Sequence, residues 1–208
     1  MAYSKFTIKK LENLFDIKRY DKNFINSNKI KPSNRLKLDL EDAFELKPRS
    51  EKAKSELIIS PILLEIRRNN NKKFFIYSGE NLDIDPKNDL NGECDFILSK
   101  KKDSLKIQTP IFAIAEAKRD SISSGDIAQV IAQMIGAYIL NKQDGNNYDI
   151  IFGAVTTGYI WQFLKLEVQE NEEKSTYLIT IEEKNYYINQ LEEILGALQE
   201  IIDIIYGK

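Results

Sequence analysis

Three charged side chains near the middle of the chain have types and spacing suited to holding a divalent cation. Glu116 and Lys118 end the apolar segment IFAIAEAKR, and Asp95 lies in the earlier segment GECDFILS. Both segments have the length and apolar content of β-strands. Because alternate side chains of a strand point to the same side, Glu116 and Lys118 share one face. If the two strands pair, an aspartate, a glutamate and a lysine converge at one strand end.

The composition restricts the chemistry to carboxylates, lysine, tyrosine or a bound metal. The chain has no histidine and one cysteine, which excludes His-based triads, His-ligated zinc and thiolate zinc sites. Carboxylates suit a hard cation such as Mg²⁺ or Mn²⁺. The predicted ligands are Asp95, Glu116 and the backbone carbonyl of Ala117. Lys118 would orient an attacking water and stabilise the added negative charge on a phosphodiester.

The segment that carries Glu116 also predicts how its strand is packed. Strict alternation places Phe112 and Ile114 on the face of Glu116. The opposite face is narrow enough for a helix to pack closely against it. Its expected members are Ile111, Ala113, Ala115 and Ala117.

The surrounding elements form an α/β pattern. Ser50 and a stripe of isoleucine and leucine predict a helix to about residue 68, in which Pro61 marks a kink or an early turn. Three strands follow, and a Ser123–Asp126 capping-box spacing opens a helix over about 125–140. A buried strand, two longer strands and a helix over about 189–206 complete the order. This order predicts one mixed sheet flanked by helices.

The first 49 residues are less regular. A short helix is expected near residues 6–15, and a polar loop over 22–34. The segment from Leu36 to Leu46 fits either a strand or a helix. Residues 1–49 are therefore treated as a poorly defined N-terminal extension of one domain spanning 1–208.

The arrangement of Asp95 and Glu116-Ala117-Lys118 resembles the PD-(D/E)XK nuclease superfamily, whose members have the restriction-endonuclease-like fold. The resemblance includes a glutamate-bearing helix before these residues and a glutamine-bearing helix after them. It covers about Ser50 to Thr157 and implies an α-β-β-β-α-β core. The sequence pattern predicts a C-terminal hairpin and helix after this core, over 158–208. Cys94 stands where the family pattern has proline, so the match depends on three residues and on topology.

The resemblance also implies roles for individual residues. Asp95 and Glu116 would be metal ligands and Lys118 the catalytic lysine. Several branches of the superfamily complete the metal site with a helix glutamate, for which Glu56 is the first candidate and Glu65 the second. Gln129 or Gln133 matches a glutamine that some branches carry on the following helix. The ordinary alternatives are an exposed helix glutamate and helix-surface glutamines.

The implied function is a Mg²⁺- or Mn²⁺-dependent nuclease acting on DNA. The rival is a catalytically silent module of the same fold that binds nucleic acid or a protein partner. Seven basic residues are candidates for phosphate contacts, with solvated loop charges as the alternative. They are Arg67, Arg68, Lys72, Lys73, Lys100, Lys101 and Lys102.

The remaining composition sets broader limits. The 208 residues carry a formal charge of −2, so no overall basic field favours nucleic acid. No segment reaches the roughly 18 apolar residues of a membrane span. With one cysteine and no signal peptide, a soluble cytoplasmic protein is expected. The broad apolar face of the last helix is either core or a homodimer interface.

Overall fold

A computed structural model describes residues 2–26, 28–100, 106–171 and 174–207, which fold around one mixed sheet. The strands are β1 (Asp16–Asp21), β2 (Phe75–Asn81), β3 (Glu93–Ser99), β4 (Ile111–Ala117), β5 (Ile150–Thr156), β6 (Ile160–Glu170), β7 (Ser175–Ile181) and β8 (Tyr186–Tyr187). Their order in the sheet is β1-β7-β6-β5-β4-β3-β2, and β8 pairs with β6.

Helices cover both faces of this sheet. A continuous helical segment starts with α3 (Glu51–Lys54), passes through one π-helical turn (Ser55–Ile59) and continues as α4 (Ser60–Asn69). The helices predicted near 51–68, 125–140 and 189–206 are confirmed, with small shifts at their ends. The helices are α1 (Ile8–Leu14), α2 (Asn34–Leu46), α3 (Glu51–Lys54), α4 (Ser60–Asn69), α5 (Ser124–Gln143) and α6 (Leu191–Tyr206).

The middle of the chain has the predicted order of elements. Strands β2, β3 and β4 form an antiparallel meander, and β5 pairs parallel with β4. The parallel pair requires a crossover, which α5 provides. From α3 to β5 the order is therefore α-β-β-β-α-β, within a single mixed α/β sheet.

The first 49 residues contribute one strand to the same sheet. Residues 16–21 form β1, an edge strand parallel to β7 that the sequence pattern did not reveal. The ambiguous segment after Ser33 is helical, because Ser33 caps it and Leu36, Leu40 and Ala43 are buried along one side. The description of this region as an extension is therefore corrected.

A β-bulge changes the predicted faces of β4. Leu98 pairs with Ala113 but Ser99 pairs with Ile111, which leaves Phe112 as an extra residue. Phe112 consequently packs in the cluster that contains Ala113, and Ile111 packs in the opposite cluster. The predicted faces of these two residues are wrong, and the alternation from residue 113 onward is confirmed.

The alanine side of β4 is covered by helices, as expected. Ala113 and Ala115 pack in one apolar cluster with residues of α4 and α6. The apolar face of α6 is thereby buried within the same chain. Of the two alternatives for this face, the hydrophobic core is confirmed. The buried side chains of α6 are Ile194, Leu195, Ala197, Leu198, Ile201, Ile202 and Ile205.

The other side of β4 faces α5, which is enclosed on almost every side. Tyr3 packs so closely on α5 that a Cβ added to Gly136 would lie 2.5 Å from the Tyr3 hydroxyl. Polar residues of α5 that face β4 are therefore shielded from water. In the part of the chain described, no helix is long and apolar enough to cross a membrane.

Candidate active site

The ends of β3 and β4 bring Asp95, Glu116 and Lys118 together. Asp95 lies one residue before Phe96, which pairs with Ala115, so it adjoins Glu116 across the two strands. A side-chain oxygen of Asp95 accepts a hydrogen bond from the backbone N–H of Ala117, at 2.7 Å. The ammonium of Lys118 lies 3.0 Å from Glu116 Oε1. The convergence expected from the two strand segments is thus present.

Two glutamines of α5 hold the Glu116 carboxylate. Gln129 donates to Oε1, and Gln133 donates to Oε2 at 2.9 Å. Gln129 also accepts a hydrogen bond from Lys118, at 3.0 Å. Gln129 and Gln133 are one helical turn apart and both are buried. The alternative view of them as surface residues is therefore wrong.

Gln133 also leaves one polar atom unused. Its Oε1 is buried and has no hydrogen-bond partner among the described residues. Its Nε2 is committed to Glu116, so turning the amide over would place a carbonyl oxygen against the carboxylate. The side chain is kept in this orientation by the charge of Glu116.

The electrostatics of the cluster are those of crowded carboxylates. Burial and the adjacent Glu116 raise the pKa of Asp95 to about 7. Burial acts to lower the pKa of Lys118, but Glu116 and Asp126 outweigh it and the pKa is raised. The Asp126 carboxylate lies 3.7 Å from the Lys118 ammonium. Lys118 is therefore held in its charged form, while Asp95 resists ionisation.

The donor chemistry fits a hard divalent cation. Asp95 and Glu116 offer carboxylate oxygens, and a cation between them would relieve the repulsion that raises the pKa of Asp95. Among the residues described, no three acidic or cysteine side chains are arranged to enclose an ion together. Mg²⁺ commonly takes one or two protein carboxylates and completes its coordination with water and phosphate.

The two helix glutamates proposed from the sequence lie outside this cluster. Glu56 is 62% exposed and lies 4.0 Å from Lys52. Glu65 is buried, but it accepts hydrogen bonds from the backbone N–H and hydroxyl of Ser33, at 2.8 and 3.0 Å. Glu56 lies within the π-helical turn between α3 and α4, and Glu65 lies in the second half of α4, about 20 Å from Glu51 along the helical segment.

Glu51 is the helix glutamate that acts on the cluster. It raises the pKa of both Asp95 and Lys118 through its charge. It occupies the first turn of α3, and Lys54 one turn later donates a hydrogen bond to the carbonyl of Arg119. This contact ties the start of α3 to the end of β4. The sequence signal was present in the acidic residue that follows the Ser50 cap.

Arg67 and Arg68 have structural partners. Arg67 donates to the carbonyl of Phe74 at 2.7 Å, where the chain enters β2. Arg68 pairs with the buried Glu65 at 3.1 Å. Both guanidinium groups are therefore committed to holding α4 in place rather than to the candidate site.

The two lysines that follow lie at the wrong end of the sheet. Lys72 and Lys73 precede β2, whose first residue, Phe75, pairs with Ser99 at the end of β3. Asp95 is four residues earlier in β3, a separation of about 13 Å along the strand. The expectation that these lysines flank the carboxylates is corrected.

Lys100, the described residue of the third basic group, is also remote from the site. Lys100 donates to the carbonyl of Ile205 at 2.7 Å, near the C-terminal end of α6, where a cation is favourable. Lys101 and Lys102 lie outside the residues that the structure describes.

Comparisons with known proteins add no family to this geometry. No family model matches the sequence, and no curated protein matches it significantly. The function of the cluster is therefore argued from its residues, their distances and their charges.

Proposed function

We propose that this protein is a metal-dependent phosphodiesterase that cleaves DNA. The observation that carries the proposal is the convergence of Asp95, Glu116 and Lys118 at two adjacent strand ends, with Asp95 crowded by a second carboxylate. A raised carboxyl pKa beside a charged lysine is a common property of catalytic sites. The α-β-β-β-α-β order of the surrounding elements adds support through its resemblance to the PD-(D/E)XK nucleases.

Each residue of the cluster has a proposed role. Asp95 and Glu116 would hold Mg²⁺ or Mn²⁺, which supplies charge neutralisation at the phosphodiester. Lys118 would place its ammonium beside the phosphate, because the hydrogen bond that it donates to Gln129 and its contact with Glu116 fix its position. Gln133 would keep the carboxylate of Glu116 in one orientation. In this role the two glutamines position Glu116 and do not touch the substrate.

The test of this proposal is cleavage by the purified protein. Duplex, single-stranded and branched DNA, and RNA, are incubated with Mg²⁺ or Mn²⁺ and with a chelator. Cleavage is expected only with the metal, and Lys118→Ala should lower its rate by about 100- to 1000-fold. Lys142→Ala is the matched control. Like Lys118, this lysine forms an ion pair, in its case with Glu170, but it lies at the C-terminal end of α5, away from the carboxylate cluster.

The rival function is a silent module of the same fold that binds a partner without catalysis. One observation favours it, since both oxygens of Glu116 already accept hydrogen bonds from the chain itself. A cation bound only by the native state must raise its stability. Absence of cleavage together with an unchanged melting temperature in Mg²⁺ and Mn²⁺ would favour the silent module. A metal-dependent rise with cleavage would exclude it.

A further inference from the structure

The first turn of α3 is fixed against the strand end that carries Lys118. The Lys54 side chain is almost fully buried, with its ammonium bonded to the carbonyl of Arg119 and 5.4 Å from the centre of the Tyr159 ring. A buried ammonium that makes these contacts holds its two elements together. The residues next to these contacts therefore keep a fixed relation to the carboxylate cluster.

Two exposed arginines lie close in sequence to this contact, one next to each of the two elements that it joins. Arg119 directly follows Lys118, and its side chain is 70% exposed. Arg49 is exposed and lies two residues before Glu51, whose charge acts on Asp95 and Lys118. One arginine thus extends from the strand and the other from the start of the helix.

The ion pair of Arg119 leaves it available to a ligand. Its Nε lies 3.5 Å from Asp120, whose side chain is also largely exposed. Exposed pairs of this kind contribute about 0–1 kcal/mol, so a phosphate can replace the carboxylate at little cost. Guanidinium groups bind phosphate oxygens through two parallel hydrogen bonds, which a lysine cannot do.

We propose that Arg49 and Arg119 form a phosphate-binding rim that holds the sugar–phosphate backbone of DNA beside the carboxylate cluster. This inference depends on the proposed function for its choice of ligand. It replaces the sequence-based assignment of DNA phosphate contacts to Lys72 and Lys73. These lysines precede β2, near the end of β3 that is farther from Asp95. Lys54 is a positioning residue in this arrangement, because it keeps α3 against β4 without reaching the DNA.

The test is the salt dependence of DNA binding. A fluorescently labelled duplex is titrated with protein in Mg²⁺, on a Lys118→Ala background that keeps the DNA intact. The Kd is measured between about 50 and 200 mM salt by fluorescence anisotropy. Arg49→Ala with Arg119→Ala should weaken binding by roughly 10- to 100-fold at 0.1 M salt and reduce the slope of log K against log salt by about 2.

The matched control is Lys72→Ala with Lys73→Ala, which removes the same charge from the other end of the sheet. This variant should bind with unchanged affinity and slope. Melting temperatures of both double variants should equal that of their background, because all four side chains lie at the surface.

The outcomes separate this inference from the nuclease proposal. Binding that needs the two arginines, without cleavage by the wild type, supports the rim and rejects the nuclease. Cleavage by the wild type, with affinity and slope unchanged in the arginine variant, rejects the rim alone. Loss of affinity in the lysine variant instead, or no DNA binding at all, also overturns the rim.

Discussion

Two buried glutamates of this protein are held in opposite electrostatic settings. Glu65, 2% exposed, accepts hydrogen bonds from the N–H and hydroxyl of Ser33 and pairs with Arg68. Burial acts to raise the pKa of Glu65, but these hydrogen bonds and the nearby guanidinium together lower it. One negative charge meets one positive charge and two donors, so the ionised carboxylate is fully compensated.

Glu116, 6% exposed, also accepts several hydrogen bonds, but other carboxylates lie close to it. Its donors are Lys118 and two glutamines. Asp95 lies beside it and has a pKa raised to about 7, and Asp126 shares the same lysine. Three carboxylates thus depend on one ammonium.

The difference separates a carboxylate whose charge is fully compensated from one that is crowded by like charges. The Glu65 cluster is complete and ties α2 to α4. The Glu116 cluster retains electrostatic repulsion that a cation would remove. Sites of this kind typically reduce stability in exchange for function. Four predictions test this contrast, in order of decreasing expected effect.

The largest effect is expected on cleavage. Glu116→Gln should lower kcat/KM by at least about 100-fold, because even residues that only support a metal ligand typically contribute about 10- to 100-fold. Glu65→Gln should leave kcat/KM unchanged at a temperature where both variants are folded. Equal losses in the two variants would show that Glu116 acts only through the fold.

The next largest effect is expected on stability, where Glu65 should matter more than Glu116. Glu65→Ala should lower the free energy of unfolding by about 2–3 kcal/mol, since it removes charge-assisted hydrogen bonds that fix the start of α2. Urea unfolding measures the loss. The control is Glu45→Ala on the exposed side of α2, expected within about 0.5 kcal/mol of the wild type. If Glu65→Ala lost no more stability than Glu45→Ala, Ser33 would cap α2 without help from Glu65.

A smaller change in the free energy of unfolding, in this case an increase, is expected from Asp95→Asn. The pKa of about 7 in the folded state exceeds the usual 3.8, so the native state binds this proton more tightly. The stability contributed by the protonated form is complete below about pH 4 and is lost as pH rises through 7. Asp95→Asn should therefore be more stable than the wild type at pH 8, by about 1–2 kcal/mol.

Urea unfolding at pH 5 and pH 8 measures this effect. The advantage of Asp95→Asn should shrink at pH 5, where the wild-type carboxyl is protonated. Mg²⁺ should stabilise the wild type at pH 8 more than the variant, because the variant lacks one ligand charge. A wild type whose stability is independent of pH across this range, relative to the variant, would contradict the crowded-carboxylate description.

The smallest effect distinguishes the two glutamates at the start of the helical segment. Glu51→Gln should lower the pKa of Asp95 slightly, because it removes one of the charges that raise it. Glu56→Gln, which removes an exposed carboxylate paired with Lys52, should leave that pKa unchanged. Carbon-detected NMR titration of the Asp95 carboxyl measures both. An equal response in the two variants would remove Glu51 from the site.

Much of the fold followed from strong local patterns. The strands around Asp95 and Glu116 and the three long helices have clear apolar periodicity, and the Ser123–Asp126 capping box is present. Strand β1 was missed because DIKRYD has a polar composition and is a strand only through its pairing with β7. Phe112 was placed on the wrong face because a bulge has no reliable signal in the strand that contains it.

The sequence by itself determined which chemistry was available: oxygen ligands, one suitably spaced lysine, and neither histidine nor a cysteine pair. Only the tertiary structure decided which residues take part. Glu65 is held by Ser33 and Glu56 remains exposed beside Lys52, so neither joins the site. Contacts between residues distant in the sequence then brought Glu51 to the site and buried two glutamines against Glu116.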